Sequence, residues 1–445
     1  MTRDEAKRRI IDGVKEYYDA YMRPCDRGGR RLPYAGRVFD GSEVAALVES
    51  ALEFWLTAGR WTDAFEDGLR EYLGVSYCSF VNSGSSANLL ALSALSAPEL
   101  GERALVKGDE VITVAAAFPT TVAPIVQCGF CPVFLDITIP QYNIDTGMLE
   151  RARTDKTKAV MIAHTLGNPF DLLTVKRFCD AYGLWLIEDN CDALGSSFTM
   201  ENGEEKMTGT VGDIGTSSFY PPHHITTGEG GAVYTDNGLL HSVVRSLRDW
   251  GRDCVCRPGE DNRCGKRFDT SFGLLPCGYD HKYVYSRLGY NLKATDMQAA
   301  VGCAQLEKLP SFVKKRRENW TRLCEGLSEE ARGKIILPEA QPRSNPSWFG
   351  FLMTCAEGID RNRLVQRVEE DGIQTRTLFA GNLLRHPCFD SLRDMPGLYR
   401  TAGGLANTDR VMRDSFWVGV YPGLDEQQID TMIDAIIRGI KHCEQ

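Results

Sequence analysis

Apolar and polar positions alternate in blocks along most of the chain. From Tyr72 onward, short apolar runs such as EVITV, PVFLDI, AVMIAH and LWLIED are separated by segments with helical periodicity. Apolar or β-branched runs of about four to eight residues, with helices between them, are typical of βαβ units and of a mainly parallel sheet. The pattern therefore predicts an α/β fold.

The same pattern predicts three parts of unequal size. Residues 1–55 form a mostly helical N-terminal segment, and residues 56–305 form a large α/β domain. Within it, a Gly-, Pro- and Cys-rich stretch at 252–280 lacks periodicity and indicates an irregular insertion. Helical periodicity returns at about Thr295, and mixed strand and helix signals predict a smaller C-terminal α+β domain over 306–445.

Composition narrows the class of protein. A charged fraction of 25% and a formal net charge of -9 are those of an ordinary globular protein, and they argue against nucleic acid or anionic membrane as the main partner. No run approaches the roughly 20 apolar residues that span a bilayer, and the N-terminus lacks a signal-peptide core. A cytoplasmic location is expected. In a reducing compartment the 15 cysteines are not expected to pair, so clustered ones indicate metal ligands or catalytic groups.

The first candidate site is NSGSSANLLALSAL, where small residues join an apolar strand to an apolar helix. Free backbone N–H groups at a helix N-terminus bind phosphate, and small side chains let the anion approach. Gly84, Ser85 and Ser86 are the candidates. A simple helix cap is the more common reason for such residues.

The second candidate is a buried strand that ends in Glu188 and Asp189. Ligands of open α/β sheets bind at the carboxyl ends of the strands. A carboxylate there can pair with the protonated pyridine nitrogen of pyridoxal phosphate. The alternative is that both acids cap the next helix. A third element, SFYPPHH, brings His223 and His224 to a Pro-Pro corner, where an imidazole is suited to moving protons; both could equally be polar loop residues.

Together these segments resemble the DegT/DnrJ/EryC1/StrS family, from about Phe54 to the C-terminus. The resemblance implies the type I fold of pyridoxal-phosphate enzymes, which is aspartate aminotransferase-like. It also implies a homodimer, because Asn291 in LGYNLKATDMQAA matches the residue that reaches the neighbouring subunit's phosphate. The implied cofactor-binding residues are Gly84, Ser85, Ser86 and Ser218 at the phosphate, Phe118 stacked on the ring, Asp189 at the pyridine nitrogen and Asp192 near the ring hydroxyl.

One departure from the family pattern changes the expected chemistry. Family aminotransferases carry a lysine two residues after the proline of SFxP, and here His223 stands there. An imidazole cannot form the covalent imine that lysine makes with the coenzyme aldehyde. The resemblance then points to the sugar 3-dehydrases, which use pyridoxamine phosphate. His223 is the implied catalytic base, removing a proton from the cofactor's methylene carbon while the sugar's carbon-3 hydroxyl leaves.

A cysteine pattern separates two dehydrase branches. Cys254 and Cys256 are followed after seven residues by Cys264, and Cys191 precedes them. This resembles the branch that acts on CDP-6-deoxy-L-threo-D-glycero-4-hexulose and carries a [2Fe-2S] cluster on four such cysteines. On spacing alone, structural zinc and a cluster are about equally expected. Cys191, beside the acid at the cofactor, favours the cluster; Cys277 and Cys131 are substitutes for it.

The implied function is reductive removal of a hydroxyl from a nucleotide-linked 4-keto-6-deoxyhexose, with CDP as the expected nucleotide. The chain has no GxGxxG fingerprint, so a separate flavin or iron–sulfur reductase is the expected electron donor. Arg376 and His386 are candidates for contacting nucleotide or sugar, although a surface salt bridge is the default role for Arg376. His164 is a further candidate at a strand end. A cluster-free enzyme with zinc, and a non-enzymatic regulator that kept the fold, are the alternatives.

Overall fold

A computed structural model describes residues 1–22, 31–395 and 397–443. The central feature is an eight-stranded sheet with the order β1-β9-β8-β5-β4-β2-β3-β14. Neighbours from β14 to β8 are parallel, and only β9 runs antiparallel to its neighbours. The strands are β1 Tyr77–Val81, β2 Glu110–Val114, β3 Cys131–Leu135, β4 Thr157–Ala163, β5 Trp185–Asp189, β6 Ser197–Thr199, β7 Glu205–Met207, β8 Ile214–Ser218, β9 Gly231–Thr235, β10 Ile335–Ile336, β11 Ser344–Asn345, β12 Gly350–Cys355, β13 Thr375–Arg376, β14 Arg400–Thr401 and β15 Ser415–Gly419.

Helices cover both faces of this sheet. Successive residues of a strand point to opposite faces, so Leu186 joins one buried cluster and Ile187 another. This double burial explains why the strands are continuous apolar runs. The helices are α1 Arg3–Tyr17, α2 Gly41–Glu53, α3 Arg60–Leu73, α4 Gly84–Ala94, α5 Pro119–Gln127, α6 Leu149–Ala152, α7 Leu172–Tyr182, α8 Gly238–Arg248, α9 Asp296–Leu327, α10 Arg361–Glu370, α11 Asp390–Arg393, α12 Ala406–Asp414 and α13 Glu426–Cys443.

A second, four-stranded sheet has the order β10-β12-β15-β13 and is antiparallel. Its apolar residues form a separate core with α9, α10 and α13. The 32-residue helix α9 begins at a capping box formed by Thr295 and Gln298. It passes from the large sheet to the second one, as the sequence predicts for a linking helix.

Two local features were not indicated by the sequence pattern, whereas a third agrees with it. The stretch around TMENGEEKMTG forms the hairpin β6–β7. The two-residue strand β14, from the C-terminal part of the chain, pairs with β3 of the large sheet. Among the described residues 249–295, regular structure is limited to isolated bridges and one short 3-10 turn, His281–Tyr283. None of the described helices is long and apolar enough to cross a membrane.

Candidate active site

A cavity of about 490 Å³ opens at the carboxyl ends of β4, β5 and β8. Ala163, Asp189 and Ser218, the last residues of these strands, form part of its wall. This is the edge at which open α/β sheets bind ligands. The predicted site residues that line the cavity are Gly84, Ser85, Phe118, Asp189, Asp192, Ser218 and His223.

The N-terminus of α4 closes one end of the cavity. Ser83 caps the helix by accepting a bond from the Ser86 backbone N–H at 3.1 Å, and its hydroxyl also donates to the Ser86 hydroxyl. Gly84 lies so close to Ser218 that a Cβ on it would stand 2.4 Å from the Ser218 Cβ. Gly84 and Ser85 therefore face the cavity, whereas Ser86 is occupied with the cap. Ser83 and Ser86 thus form the helix cap, and phosphate binding by Gly84 and Ser85 stays a prediction.

The two acids at the end of β5 have different environments. Asp189 faces the cavity, and its Oδ2 accepts bonds of 2.7 Å from Asn88 and from Thr121. Glu188 points to the other side of the sheet, where it accepts backbone N–H bonds from the 209–212 turn. It is also 2.9 Å from His164, which stacks on Phe170. Glu188 and His164 are therefore structural, and Asp189 is the acid available to a ligand.

His223 and Asp192 are neighbours in the wall of the cavity. Their Nδ1 and Oδ1 atoms lie 3.3 Å apart but are not aligned for a hydrogen bond. Among the described residues, neither the His223 Nδ1 nor the buried Asp192 Oδ2 has a hydrogen-bond partner. A buried polar atom without a partner calls for an explanation, and a polar ligand in the cavity would supply a partner for both atoms. The His223 carbonyl is held from outside by the buried Arg316, which donates to it at 3.3 Å and to the Trp348 carbonyl at 3.2 Å.

His224 has a different role from its neighbour. It is buried, and its ring Nε2 lies 2.8 Å from the Ser347 carbonyl oxygen. Burial, reinforced by the charge of Arg316, holds the pKa of His224 well below its ordinary value of 6.5. His224 is therefore a neutral residue behind the cavity and not part of its wall.

Aromatic side chains form the remaining wall. Phe118 is 52% exposed, so its ring is accessible for stacking on a planar ligand. Phe349, Trp417 and Tyr34 also line the cavity, although the sequence did not single them out. The aromatic run WFG at Trp348–Gly350 was the sequence feature that could have indicated Phe349.

Arg376 and His386 are at the cavity, as predicted. The Arg376 guanidinium lies 4.0 Å from the centre of the Tyr34 ring, and within the described ranges no carboxylate pairs with it. The default expectation of a salt bridge for Arg376 is thus not met there. His386 is fixed by the Ala380 carbonyl at 2.7 Å. An unpaired guanidinium in a cavity is suited to an anionic group such as a diphosphate.

These residues fit a pyridoxamine phosphate. Gly84, Ser85 and Ser218 line the cavity at the start of α4, where an anion can reach the helix N-terminus, and two donors fix Asp189. The unpartnered atoms of His223 and Asp192 supply polar contacts on the remaining side. The sequence places His223 where the family's covalent anchor would stand, and the described residues that line the cavity include no lysine.

The four predicted cluster cysteines lie in two places. Cys254, Cys256 and Cys264 line one small cavity in segment 249–295, together with His281. Cys191 instead lines the cofactor cavity, where its backbone N–H bonds to Asp189. Burial and the Asp189 charge raise the pKa of the Cys191 thiol well above its ordinary value.

The small cavity has the chemistry of a metal site but not its closed geometry. Within the described residues, no three His, Cys, Asp or Glu side chains are already spaced to hold a metal ion. His281 lowers the pKa of the Cys264 thiol, whereas burial raises the pKa of the Cys254 thiol, and backbone N–H groups bond to the sulfurs of Cys256 and Cys264. The substitutes are less suitable, since Cys277 is exposed and Cys131 is buried within β3.

Asn291 lies outside the cavity of its own chain. It is exposed, its backbone forms a bridge with Asp249, and its side chain accepts a bond of 2.7 Å from Lys293. The interpretation that it reaches a neighbouring subunit stays a prediction.

Comparisons with known proteins agree with the fold. The model of the DegT/DnrJ/EryC1/StrS aminotransferase family matches residues 39–437. A solved Escherichia coli GDP-4-keto-6-deoxy-D-mannose-3-dehydratase with bound hydrated PLP is 28% identical, with a TM-score of 0.80 over 91% of this chain and 98% of that one. The molecule thus has the fold of pyridoxal-phosphate-dependent enzymes, and the prediction of fold class is confirmed.

Two curated relatives cover nearly the whole chain. The lipopolysaccharide biosynthesis protein RfbH of Salmonella typhimurium is 53% identical over 97% of this chain and 98% of its own length. The dTDP-4-dehydro-2,6-dideoxy-D-glucose 3-dehydratase of Saccharopolyspora spinosa is 48% identical over 97% of this chain and 92% of its own. The chain belongs to the DegT/DnrJ/EryC1/StrS family, which confirms the resemblance.

Proposed function

We propose that this protein removes the carbon-3 hydroxyl of a nucleotide-linked 4-keto-6-deoxyhexose, using pyridoxamine phosphate and a [2Fe-2S] cluster. The observation that carries the proposal is His223, which stands in the cavity where family aminotransferases have lysine, with an unpartnered ring nitrogen. Relatives named as sugar 3-dehydratases support it at 48% and 32% identity. CDP is the proposed nucleotide, and 3,6-dideoxysugar biosynthesis for a surface polysaccharide is the proposed setting, consistent with the name of the Salmonella relative.

Several residues that line the cavity have defined roles in the proposed reaction. When bound, pyridoxamine phosphate supplies a primary amine and a ring that accepts electrons. Gly84, Ser85 and Ser218 bind its phosphate, and Phe118 packs on one face of the ring. Asp189 keeps a proton on the pyridine nitrogen, because its charge and its two fixed hydrogen bonds favour a cationic partner.

His223 moves the protons. It takes one from the carbon beside the coenzyme amine and gives one to the departing carbon-3 hydroxyl, which leaves as water. Asp192, whose Oδ1 lies 3.3 Å from the His223 Nδ1, borders the imidazole and would contact the ring hydroxyl of the cofactor. Arg376 at the cavity holds the diphosphate of the substrate.

The reaction also needs two electrons, which a separate flavin or iron–sulfur reductase supplies singly. Cys254, Cys256 and Cys264, with Cys191 as the fourth ligand that the family resemblance implies, would provide thiolates for an iron–sulfur group, which would supply one-electron chemistry. A homodimer completes each site, with Asn291 of one chain at the phosphate of the other.

An anaerobic incubation tests the proposal. The iron-loaded protein is mixed with pyridoxamine phosphate, a flavin or iron–sulfur reductase with NADH, and either CDP- or dTDP-4-keto-6-deoxyglucose. We expect a 3-deoxy product from the CDP substrate only when the reductase is present. Formation of an amino sugar with glutamate would contradict the dehydrase assignment.

The cluster is tested separately by the visible spectrum. A [2Fe-2S] protein is reddish-brown, and bleaching by dithionite is expected. A colourless protein that contains zinc and still forms a 3-deoxy product without the reductase would establish the cluster-free alternative. Failure to bind pyridoxamine phosphate at all would favour the non-enzymatic alternative.

A further inference from the structure

Segment 31–38 precedes the region 39–437 that the family model matches, yet it contributes to the cofactor cavity. Leu32 forms a parallel bridge with Ile373, just before β13, and backbone hydrogen bonds of 2.8 and 2.9 Å join the two stretches of chain. Two residues after this bridge, the side chain of Tyr34 lines the cavity. A residue outside the matched region thus reaches the space where the substrate is proposed to bind.

Tyr34 is fixed by its surroundings. Its ring packs edge-on against Trp417, with the ring centroids 5.4 Å apart. Its carbonyl oxygen passes close over Gly419, where a Cβ would stand only 1.9 Å away, so a side chain at position 419 would displace the segment. The Tyr34 backbone N–H also donates to the Gln374 side chain at 3.4 Å. The position of the ring is therefore set before any ligand binds.

The guanidinium of Arg376 lies over the Tyr34 ring. Its central carbon is 4.0 Å from the ring centroid, which is a cation–π contact. Its Nη1 donates to the Thr375 carbonyl at 2.7 Å, and within the described residues its other nitrogens have no hydrogen-bond partner. A guanidinium with one face covered still presents N–H groups along its edge, where a fork of donors fits two oxygens of a diphosphate.

The two contacts prepare Arg376 for an anion. Arg376 is at the exposed end of β13, where a free arginine side chain would lose conformational freedom on binding. The Tyr34 ring and the Thr375 carbonyl restrict it beforehand. The next arginine along the chain, Arg385, is instead paired with Asp409 at 2.6 Å. Arg376 is therefore the better placed of the two cations to bind an anionic ligand in the cavity.

We propose that Tyr34 is a positioning residue of the substrate site and sets how tightly the site binds a nucleoside diphosphate group. It acts through Arg376, because its ring covers one face of the guanidinium and holds the group at the cavity. This role rests on the proposed function for the identity of the substrate. It also gives segment 31–38 a part in substrate recognition.

Isothermal titration calorimetry of the protein loaded with pyridoxamine phosphate, with CDP as the probe, tests this role. Tyr34→Leu keeps an apolar side chain against Trp417 but removes the aromatic face, so the Kd for CDP is expected to rise roughly fivefold, as for loss of a partly exposed cation–π contact. Tyr34→Phe keeps the ring and is expected to bind CDP like the wild type. Tyr182→Leu, which removes a similar contact 4.3 Å from Arg153 and outside the cavity, is the matched control and is expected to leave the Kd unchanged.

A double-mutant cycle distinguishes positioning of Arg376 from general packing. Arg376→Ala is expected to raise the Kd for CDP roughly 30-fold, as for loss of hydrogen bonds to a charged group. Adding Tyr34→Leu is then expected to change nothing, because the group through which Tyr34 acts is gone. In steady-state assays, Tyr34→Leu is expected to raise KM by the same factor as Kd and to leave kcat within about twofold.

Two results would overturn the role of Tyr34 and leave the proposed function intact. One is an unchanged Kd in Tyr34→Leu, and the other is an equal loss of affinity from Tyr34→Leu with and without Arg376. A wild-type protein that binds none of CDP, dTDP and GDP would instead overturn the proposed function, and the role of Tyr34 with it. If dTDP or GDP binds and CDP does not, only the proposed nucleotide is wrong, and the same cycle with the bound nucleotide decides the role of Tyr34.

Discussion

The cofactor cavity and the cysteine-containing segment 249–295 are built in contrasting ways. The cavity lies at the ends of strands from a sheet buried on both faces, and Asp189 is fixed by side chains from α4 and α5. The segment between α8 and α9 is mostly exposed and is held by turns and ion pairs such as that of Arg267 with Asp280. Strand packing shapes the first site before any ligand arrives, whereas the second has few buried contacts and, under the proposed function, would be ordered by a bound metal.

The largest expected effect is that of a substitution in the cofactor cavity, which is the preformed site of the two. His223→Asn removes the proton-transferring group, and kcat is expected to fall by roughly 1,000-fold, within the usual range for general acid–base catalysis. Because the remaining cavity groups are unchanged, pyridoxamine phosphate binding, followed by absorbance, is expected to stay within about threefold of the wild type. A variant that turns over normally would remove His223 from the mechanism.

Asp189→Asn is expected to have the next largest effect. The amide keeps the volume but loses the charge that stabilises a protonated pyridine nitrogen, so kcat is expected to fall by roughly 100-fold. Ser76→Ala alters a hydroxyl on the exposed surface and serves as a control. If Asp189→Asn retained near-normal kcat, the cofactor ring would have to lie elsewhere.

The metal dependence of the segment is tested by limited proteolysis. Trypsin is expected to cut the metal-free protein within 257–267, after exposed basic residues such as Arg263. Reconstitution with iron is expected to slow this cleavage by about tenfold, since a ligand that binds only the ordered form stabilises it. Pyridoxamine phosphate alone is expected to protect far less. Equal protection by both ligands would show that the two sites are not independent in stability.

The smallest expected effect is on how the free energy of unfolding depends on pH, through His241 on α8. Burial, with help from Arg245 and Arg248, lowers the pKa of His241 to about 4. The unfolded chain then binds a proton more readily below pH 6.5, so the free energy of unfolding decreases as pH falls from 6.5 toward 4. His241→Gln is expected to flatten this slope by about 1 kcal/mol per pH unit in urea titrations. His442→Gln, at an exposed position, is the control, and an unchanged slope in His241→Gln would contradict the prediction.

Much of the fold could be predicted because the large sheet follows local patterns. Continuous apolar runs mark β2 to β5, and the acid that ends β5 was visible from the sequence. The two-residue strands β13 and β14 were not visible, since periodicity needs more residues than they contain. Their pairing depends on long-range packing.

The site was predictable to a similar extent. His223 and Asp192 follow from their place in motifs, but the aromatic wall of Phe349 and Trp417 comes from the second sheet and needs the tertiary fold. The place of Cys191 next to Asp189 already indicated that it lies at the cofactor. The cysteine spacing did not reveal that Cys254, Cys256 and Cys264 line a separate small cavity.

Arg316 has a mechanical consequence. A single buried guanidinium bonds the main chain at His223 on one side and at Trp348, just before β12, on the other. The backbone of His223 is thereby linked to the segment before β12, so a rigid displacement of the smaller sheet would also move His223. A substitution at position 316 on α9, which does not line the cofactor cavity, would therefore be a way to shift residue 223.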